Sequence, residues 1–330
     1  MAALGLWVGG GSKRLVIWKV VVWALLVGYV AMWGLQLSRM DPFLVDVRFV
    51  TNLIGILSAL NVQYQMQRHS SGLAAVVRAL GPRRLTAQMR SLVLVLAFVP
   101  WIAQASMTAA RLCRPANVTL ATPVACLQCI VVRNHIWLGA VLTSSLCLVL
   151  ASKLKTLNGA LFLEGPLSVR AVDGARQAYG LLCSMISVID NALGPVALMW
   201  NANFIAETVS LCLEASASAL VPMSLILVNL VLIVALWLLF SEACARLHLE
   251  ALETIDTLAY KLCDQPELSL PGTLACAAAR QQNLGVSCWD IAPVGRSLAV
   301  FVFATAASLS GLAVYYKDQL DVAKHYAFAE

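Results

Sequence analysis

Residues 219–241 read "ALVPMSLILVNLVLIVALWLLFS" and hold no charged side chain. A helix crossing the ~30 Å hydrocarbon core of a bilayer needs about 20 such residues. Apolar runs of comparable length recur at about 15–36, 43–64, 91–110, 130–152, 192–213 and 295–316. Only structures that satisfy every backbone polar group internally can span lipid, and apolar runs of this length do so as helices. The seven runs therefore predict a single all-α domain over residues 1–330, a seven-transmembrane helical bundle. Composition leads to the same place. Hydrophobic residues make up 60% and charged residues 12%, against about 45–50% and about 25% in soluble domains. No soluble fold of this size hides that much apolar surface.

The first run, "RLVIWKVVVWALLVGYVAMWGL", follows Lys13 and Arg14 as a signal peptide would. It is longer than a signal core and no small-x-small site closes it, so it reads as an uncleaved first span. Trp18, Trp23 and Trp33 near its ends suit interfacial belts.

Lys and Arg in short connections set orientation. With the N-terminus inside, fourteen fall on the inner side: Lys13 and Arg14, five over 68–90, four over 153–176, and Arg246, Lys261 and Arg280. Five fall outside: Arg39, Arg111, Arg114, Lys317 and Lys324. The expected topology is a multi-pass plasma-membrane protein with a cytoplasmic N-terminus and an extracellular C-terminus. The glycosylation sequon at Asn117-Val118-Thr119 falls in an outer connection, in agreement.

Two runs are too long for a bilayer. Helical patterning persists from about Gln177 to Ala215, roughly 58 Å at 1.5 Å per residue. The sixth span continues through "EACARLHLEALETIDTLAYKLCD", with an apolar stripe of Leu247, Leu249, Ala251, Leu252, Ile255, Leu258 and Leu262. Both overruns lie on the expected inner side, where they can pack on each other.

Most of the ten cysteines sit in apolar runs and behave as small hydrophobes. Cys126-x-x-Cys129, with Cys113 nearby in a polar connection, admits free thiols, an extracellular disulfide or a metal. No second CxxC or HxxxH follows it. Paired carboxylates, HExxH and G-x-S-x-G are missing, and "GGGSK" lacks phosphate-loop spacing. The chain therefore reads as a non-enzyme that uses no cofactor or metal and binds no nucleic acid.

Seven spans also admit a G-protein-coupled receptor or, less readily, a membrane carrier. The charge bias opposes the first, as does the lack of a D-R-Y-like triplet and of N-P-x-x-Y in the last span. Carriers favour repeat symmetry between halves, and none is visible.

The stretch "RQAYGLLCSMISVIDNALGPVALMWNANFIAETV" resembles the arthropod gustatory receptor family, through Arg176, Leu181, Leu182, Ile189-Asp190-Asn191, Gly194 and Phe204. The family's signature in helix seven is Thr-Tyr, five apolar residues and Gln-Phe. Ser308-Leu309, "SGLAV" and Tyr315-Tyr316 occupy that place without spelling it. A second register, ending on Gln319-Leu320, would put Lys317 and Asp318 in the apolar stretch. That is disfavoured, since a mid-helix charge costs at least ~2.5–3.5 kcal/mol. The resemblance covers about residues 150–316. It implies a chemosensory, ligand-gated cation channel, related to insect odorant receptors, with the inner ends of helices four to six extended into the cytoplasm. It also implies homo- or hetero-tetramers embedded in the bilayer and a small-molecule tastant as ligand.

On that basis Ser308, Gly311, Tyr315 and Tyr316 are the expected pore residues. Ordinary small-residue helix packing and interfacial aromatics are the alternatives. The expected ligand pocket takes Trp101 and Gln104 from span three, and His135 and Trp137 from span four. Trp200, Asn203 and Glu207 come from span five and Asn229 from span six. Aromatics with a few polar groups suit a small organic ligand, although intramembrane Asn and His also serve as interhelical glue.

Overall fold

The computed structural model describes residues 47–80, 121–163, 169–217, 223–263, 284–288 and 290–327, with isolated positions at 24, 27, 28 and 102. These form α1 (Val47–Arg68), α2 (Ser70–Leu80), α3 (Ala121–Leu163), α4 (Val169–Ala217), α5 (Met223–Cys263) and α6 (Arg296–Ala327). Four stretches are long and apolar enough to cross a membrane: Ile136–Leu161, Asp173–Ser216, Met223–Lys261 and Arg296–Gln319. The expected spans at 15–36 and 91–110 lie almost entirely outside the described residues.

The overruns are real and longer than the sequence predicts. The α4 helix has 49 residues, about 73 Å of helix. The α3 and α5 helices have 43 and 41 residues. Their extensions pack as one bundle. Tyr179 of α4 donates its hydroxyl to the Ala251 carbonyl of α5 at 3.2 Å. Thr254 of α5 reaches the Leu154 carbonyl of α3 at 3.5 Å. Leu247, Ala251, Ile255 and Leu258 are buried as the stripe requires. Leu249 is 50% exposed instead. It stands two positions from both Leu247 and Ala251, which puts it about 160° from each around the helix.

Two expected boundaries shift. Helix α1, which covers most of the expected span at 43–64, runs on to Arg68 and is not among the four stretches apolar enough to cross a membrane. The basic connection expected after it is helical through Leu80. His69 accepts from Leu73 N and donates to Gln65 O, each at 3.0 Å, so hydrogen bonding runs through the α1–α2 junction. Polar residues cannot mark a helix end by themselves, because a helix leaving lipid remains a helix. Helix α3 likewise starts at Ala121, which places Cys126 and Cys129 on a helix rather than in a polar connection.

Helix α4 is the spine and touches every other described helix. Its contact with α1 and α3 is close at Gly139, where a Cβ would lie 3.2 Å from Val196 and 3.3 Å from Val62. Pro195 lies inside α4 and supplies no amide to the helix ladder. The carbonyl of Pro195 accepts from Asn61 Nδ2 of α1 at 3.0 Å. Helix α6 packs a narrow stripe, Val302, Ala306 and Ser310, and leaves Val300, Phe301, Leu309 and Leu312 exposed.

Candidate pocket and pore-face residues

A buried aromatic cluster joins α3, α4 and α5, and the half-exposed Phe303 of α6 lies against it. Trp137 (α3) meets Trp200 (α4) edge-on at 6.1 Å, and Trp200 meets Phe240 (α5) at 6.4 Å. Phe204 (α4) stacks on Trp237 (α5) at 4.4 Å, and Trp237 faces Phe303 (α6) at 6.4 Å. Asn201 is the polar hub of this cluster. Its Oδ1 accepts from Trp237 Nε1 at 3.0 Å. Its Nδ2 donates to the Ala197 carbonyl at 2.9 Å and to Cys288 Sγ at 3.4 Å.

The expected pocket residues are brought together only in part. Trp137 and Trp200 are in contact. Asn203 and Glu207 are buried on α4, and Asn203 Oδ1 faces α1, 3.9 Å from the Cβ position of Gly55. Asn229 is fully buried on α5 and donates to the Leu225 carbonyl of its own helix. Trp200 Nε1, Asn203 Oδ1 and Asn229 Oδ1 are buried without a hydrogen-bond partner. Leaving a buried polar atom unpaired costs about 1–3 kcal/mol, so each is a position where a ligand or water would be stabilised. His135 lies on α3, but its side chain is outside the described residues, as are Trp101, Gln104 and Asn117.

On α6, Ser308, Gly311, Tyr315 and Tyr316 are all exposed. At about 100° per residue, Ser308, Gly311 and Tyr315 point away from the buried Val302–Ala306–Ser310 stripe. Nothing lies within 4 Å of a Cβ added at Gly311. Close packing within the chain therefore does not account for that glycine. Tyr316 sits on the flank and meets the Tyr315 ring edge-on at 5.9 Å. The helix continues past Lys317, whose Nζ bonds Ser216 Oγ of α4 at 3.1 Å.

Sequence reasoning missed two residues. Asp190 is a carboxylate only 9% exposed. Its Oδ1 accepts from Ser287 N at 2.6 Å and Ser287 Oγ at 3.0 Å. Asn201 stands in an apolar run, where an asparagine is itself a signal.

Among the described residues no group of three His, Cys, Asp or Glu is placed to hold a metal. Cys147 and Cys244 approach to 3.9 Å between α3 and α5, and Cys147, Cys183, Cys212, Cys244 and Cys288 are free thiols. Burial pushes the Cys288 thiol up to about 11, with the Asp190 carboxylate adding to the rise and the Asn201 hydrogen bond opposing it. At pH 7 only about one molecule in ten thousand carries the reactive thiolate. Alkylation of the folded protein by N-ethylmaleimide should therefore leave Cys288 unmodified by mass spectrometry, and denaturant should release it. Rapid labelling at pH 7 would contradict this placement.

Two clefts open elsewhere. One of about 550 Å³ lies between α3 and α4 beside Lys153, Leu157 and Leu182. The other, of about 460 Å³, is lined by Gln65, Arg68, His69, Asp190, Ser287 and Asp290.

No protein-family profile and no curated protein matches the sequence. Among solved structures the chain is similar to the insect olfactory receptor OR5 from Machilis hrabei in complex with eugenol. The TM-score is 0.72 at 12% identity, covering 92% of this chain and 90% of that one. A second structure of the same receptor gives a TM-score of 0.71 at 12% identity, over 94% and 89% of the two chains. The chain has the insect olfactory receptor fold.

Proposed function

We propose, from that shared fold, that this chain is a divergent member of the insect odorant and gustatory receptor superfamily. In this reading it is a chemosensory receptor of gustatory type: a ligand-gated, non-selective cation channel in the plasma membrane. The observation that carries the proposal is the fold match over about nine-tenths of both chains. Seven spans with the N-terminus inside are part of it, on the charge bias. The ligand is a small organic molecule taken from outside. The neighbouring receptor's eugenol, an aromatic with a hydrogen-bonding hydroxyl, illustrates the kind of molecule that Trp137, Trp200, Asn203 and Asn229 suit. Homo- or hetero-tetramers would set the Ser308–Gly311–Tyr315 face toward a shared axis, which fits a face turned away from its own bundle. Tyr316 on the flank would meet the neighbouring subunit.

The test is whole-cell recording from cells expressing the chain, with a panel of eugenol, caffeine, sucrose and related organics. A ligand-evoked cation current is expected, and Tyr315→Ala should change its relative ion permeability. An epitope added at the C-terminus should be stained on intact cells. Surface-expressed protein that gives no current with any panel member would count against the channel. A mutant current of unchanged selectivity would remove Tyr315 from the pore.

A further inference from the structure

Residues 284–288 and 290–295 pair ahead of α6 as a hairpin set into the bundle. Ser287 and Pro293 form an antiparallel bridge. Val294 N bonds Val286 O at 2.8 Å, and Cys288 N bonds Ala292 O at 2.7 Å. Asp290 at the tip takes φ 58°, a left-handed conformation that Asp tolerates better than most residues. Leu284, Val286, Cys288 and Val294 are buried.

The hairpin is tied to α4 twice. Asp190 takes both the amide and the hydroxyl of Ser287, and that hydroxyl oxygen accepts from Asp290 N at 3.0 Å. Three turns along α4, Asn201 donates to Cys288 Sγ. It is also tied to α5. Gly285 lies against His248, whose Cβ is 3.3 Å from the Cβ position of that glycine. Arg296, the first residue of α6, makes a two-point contact with Glu242, both hydrogen bonds being 3.1 Å.

Asn201 has two roles at once. One end of its amide holds Trp237 in the aromatic cluster and the other holds Cys288 in the hairpin. A change in the packing of Trp200, Phe204 and Trp237 is therefore one hydrogen bond from the segment that aims α6. Packed cores shift between discrete arrangements rather than deform smoothly, so a small displacement there can tilt a helix anchored at its start.

We propose that the 284–295 hairpin is the joint that transmits occupancy of the aromatic cluster to α6, with Asp190 and Asn201 of α4 as positioning residues. This rests on the channel reading above. The carboxylate is suited to the job because a charge-assisted bond to a backbone amide is short and strong, and it fixes the hairpin backbone rather than one side chain.

The test compares Asp190→Ala, Asp190→Asn, Ser287→Ala and the Asp190→Ala/Ser287→Ala pair with wild type. Surface amount, panel-compound affinity of the purified full chain by calorimetry, and maximal current per surface channel are measured with the panel member of largest wild-type current. Asp190→Ala should lower maximal current per channel about tenfold while affinity stays within about threefold. Asp190→Asn, which keeps an acceptor oxygen, should fall between. The double variant should lose less than the sum of the two single losses, since both changes remove the bond between Ser287 Oγ and Asp190. A merely structural role would lower surface amount and leave current per channel intact, and that result overturns the proposal. So does additivity of the two single changes, or an equal loss of affinity.

If wild type gives no current at all, the channel reading fails by itself, and amide hydrogen exchange then decides the joint. Asp190→Ala should speed exchange over 284–299 at least about tenfold and leave 231–240 unchanged. Unaltered exchange over 284–299 refutes the joint whatever the channel does.

Discussion

Trp237→Ala should be among the most destabilising single substitutions in this chain, costing about 3–5 kcal/mol. Trp237 is 1% exposed, stacks on Phe204 at 4.4 Å and donates to Asn201 at 3.0 Å. Lipid tails are as apolar as a protein core, so little of this cost comes from transfer of the side chain out of water. It comes from lost dispersion contacts in a cavity that α4, α5 and α6 are too rigid to close. A second part comes from Asn201 Oδ1, left buried without a donor at about 1–3 kcal/mol. Trp237→Phe separates the two, since it keeps a stacking ring and removes the N–H. Adding Asn201→Leu should recover part of that loss, because removing both partners of a buried hydrogen bond is cheaper than removing one. Thermal unfolding in detergent or nanodiscs, read by the folded fraction on size exclusion, checks the order wild type, Trp237→Phe/Asn201→Leu, Trp237→Phe, Trp237→Ala. A Trp237→Ala protein that melts with wild type would show that the cluster contributes nothing to stability.

Gly139→Leu should approach the lower end of that loss, about 3 kcal/mol, by the opposite route. A Cβ at Gly139 would meet Val196 Cγ1 at 3.2 Å and the two Val62 methyls at 3.3 and 3.4 Å. Both neighbours are β-branched valines on helices, with χ1 nearly fixed, so neither can turn aside. The added carbons must push α1 or α4 away from α3. Overpacking typically costs about 1–3 kcal/mol, and a three-helix crossing belongs at the upper end of that range. Gly139→Ala should show a smaller loss of the same sign. Gly159 is the control. Nothing lies within 4 Å of its Cβ position, and Gly→Ala in an open helix position gains about 0.8–1 kcal/mol. Equal melting temperatures for Gly139→Leu and Gly159→Ala would refute the close crossing.

Much of the fold is legible without coordinates. The run at 219–241 and its continuation past Glu242 predict one helix too long for a bilayer, and α5 is that helix. The Leu247–Leu258 stripe is correct except at Leu249, which stands about 160° round the helix from Leu247. The helical course of residues 65–80 was not legible, because the polar run from Gln65 to Gly72 resembles a loop. The i, i+3, i+7 spacing of Leu73, Val76 and Leu80 was the signal available, and all three are buried.

The candidate site divides the same way. Intramembrane Trp and Asn residues can be picked out by type, and three of them, Trp200, Asn203 and Asn229, do carry unpaired buried atoms. The Asp190–Ser287 bond cannot be found that way.

Sequence alone determined that this chain is helical and made for lipid. Those properties follow from the length and period of apolar runs, and each run carries its own signal. Tertiary structure alone decided which polar groups meet. Asp190 and Ser287 are 97 positions apart, and a hydrogen bond depends on angstroms of helix placement that no local pattern encodes. It also decided that the Ser308–Gly311–Tyr315 face turns outward, because only the packing of Val302, Ala306 and Ser310 against the bundle sets the rotation of α6.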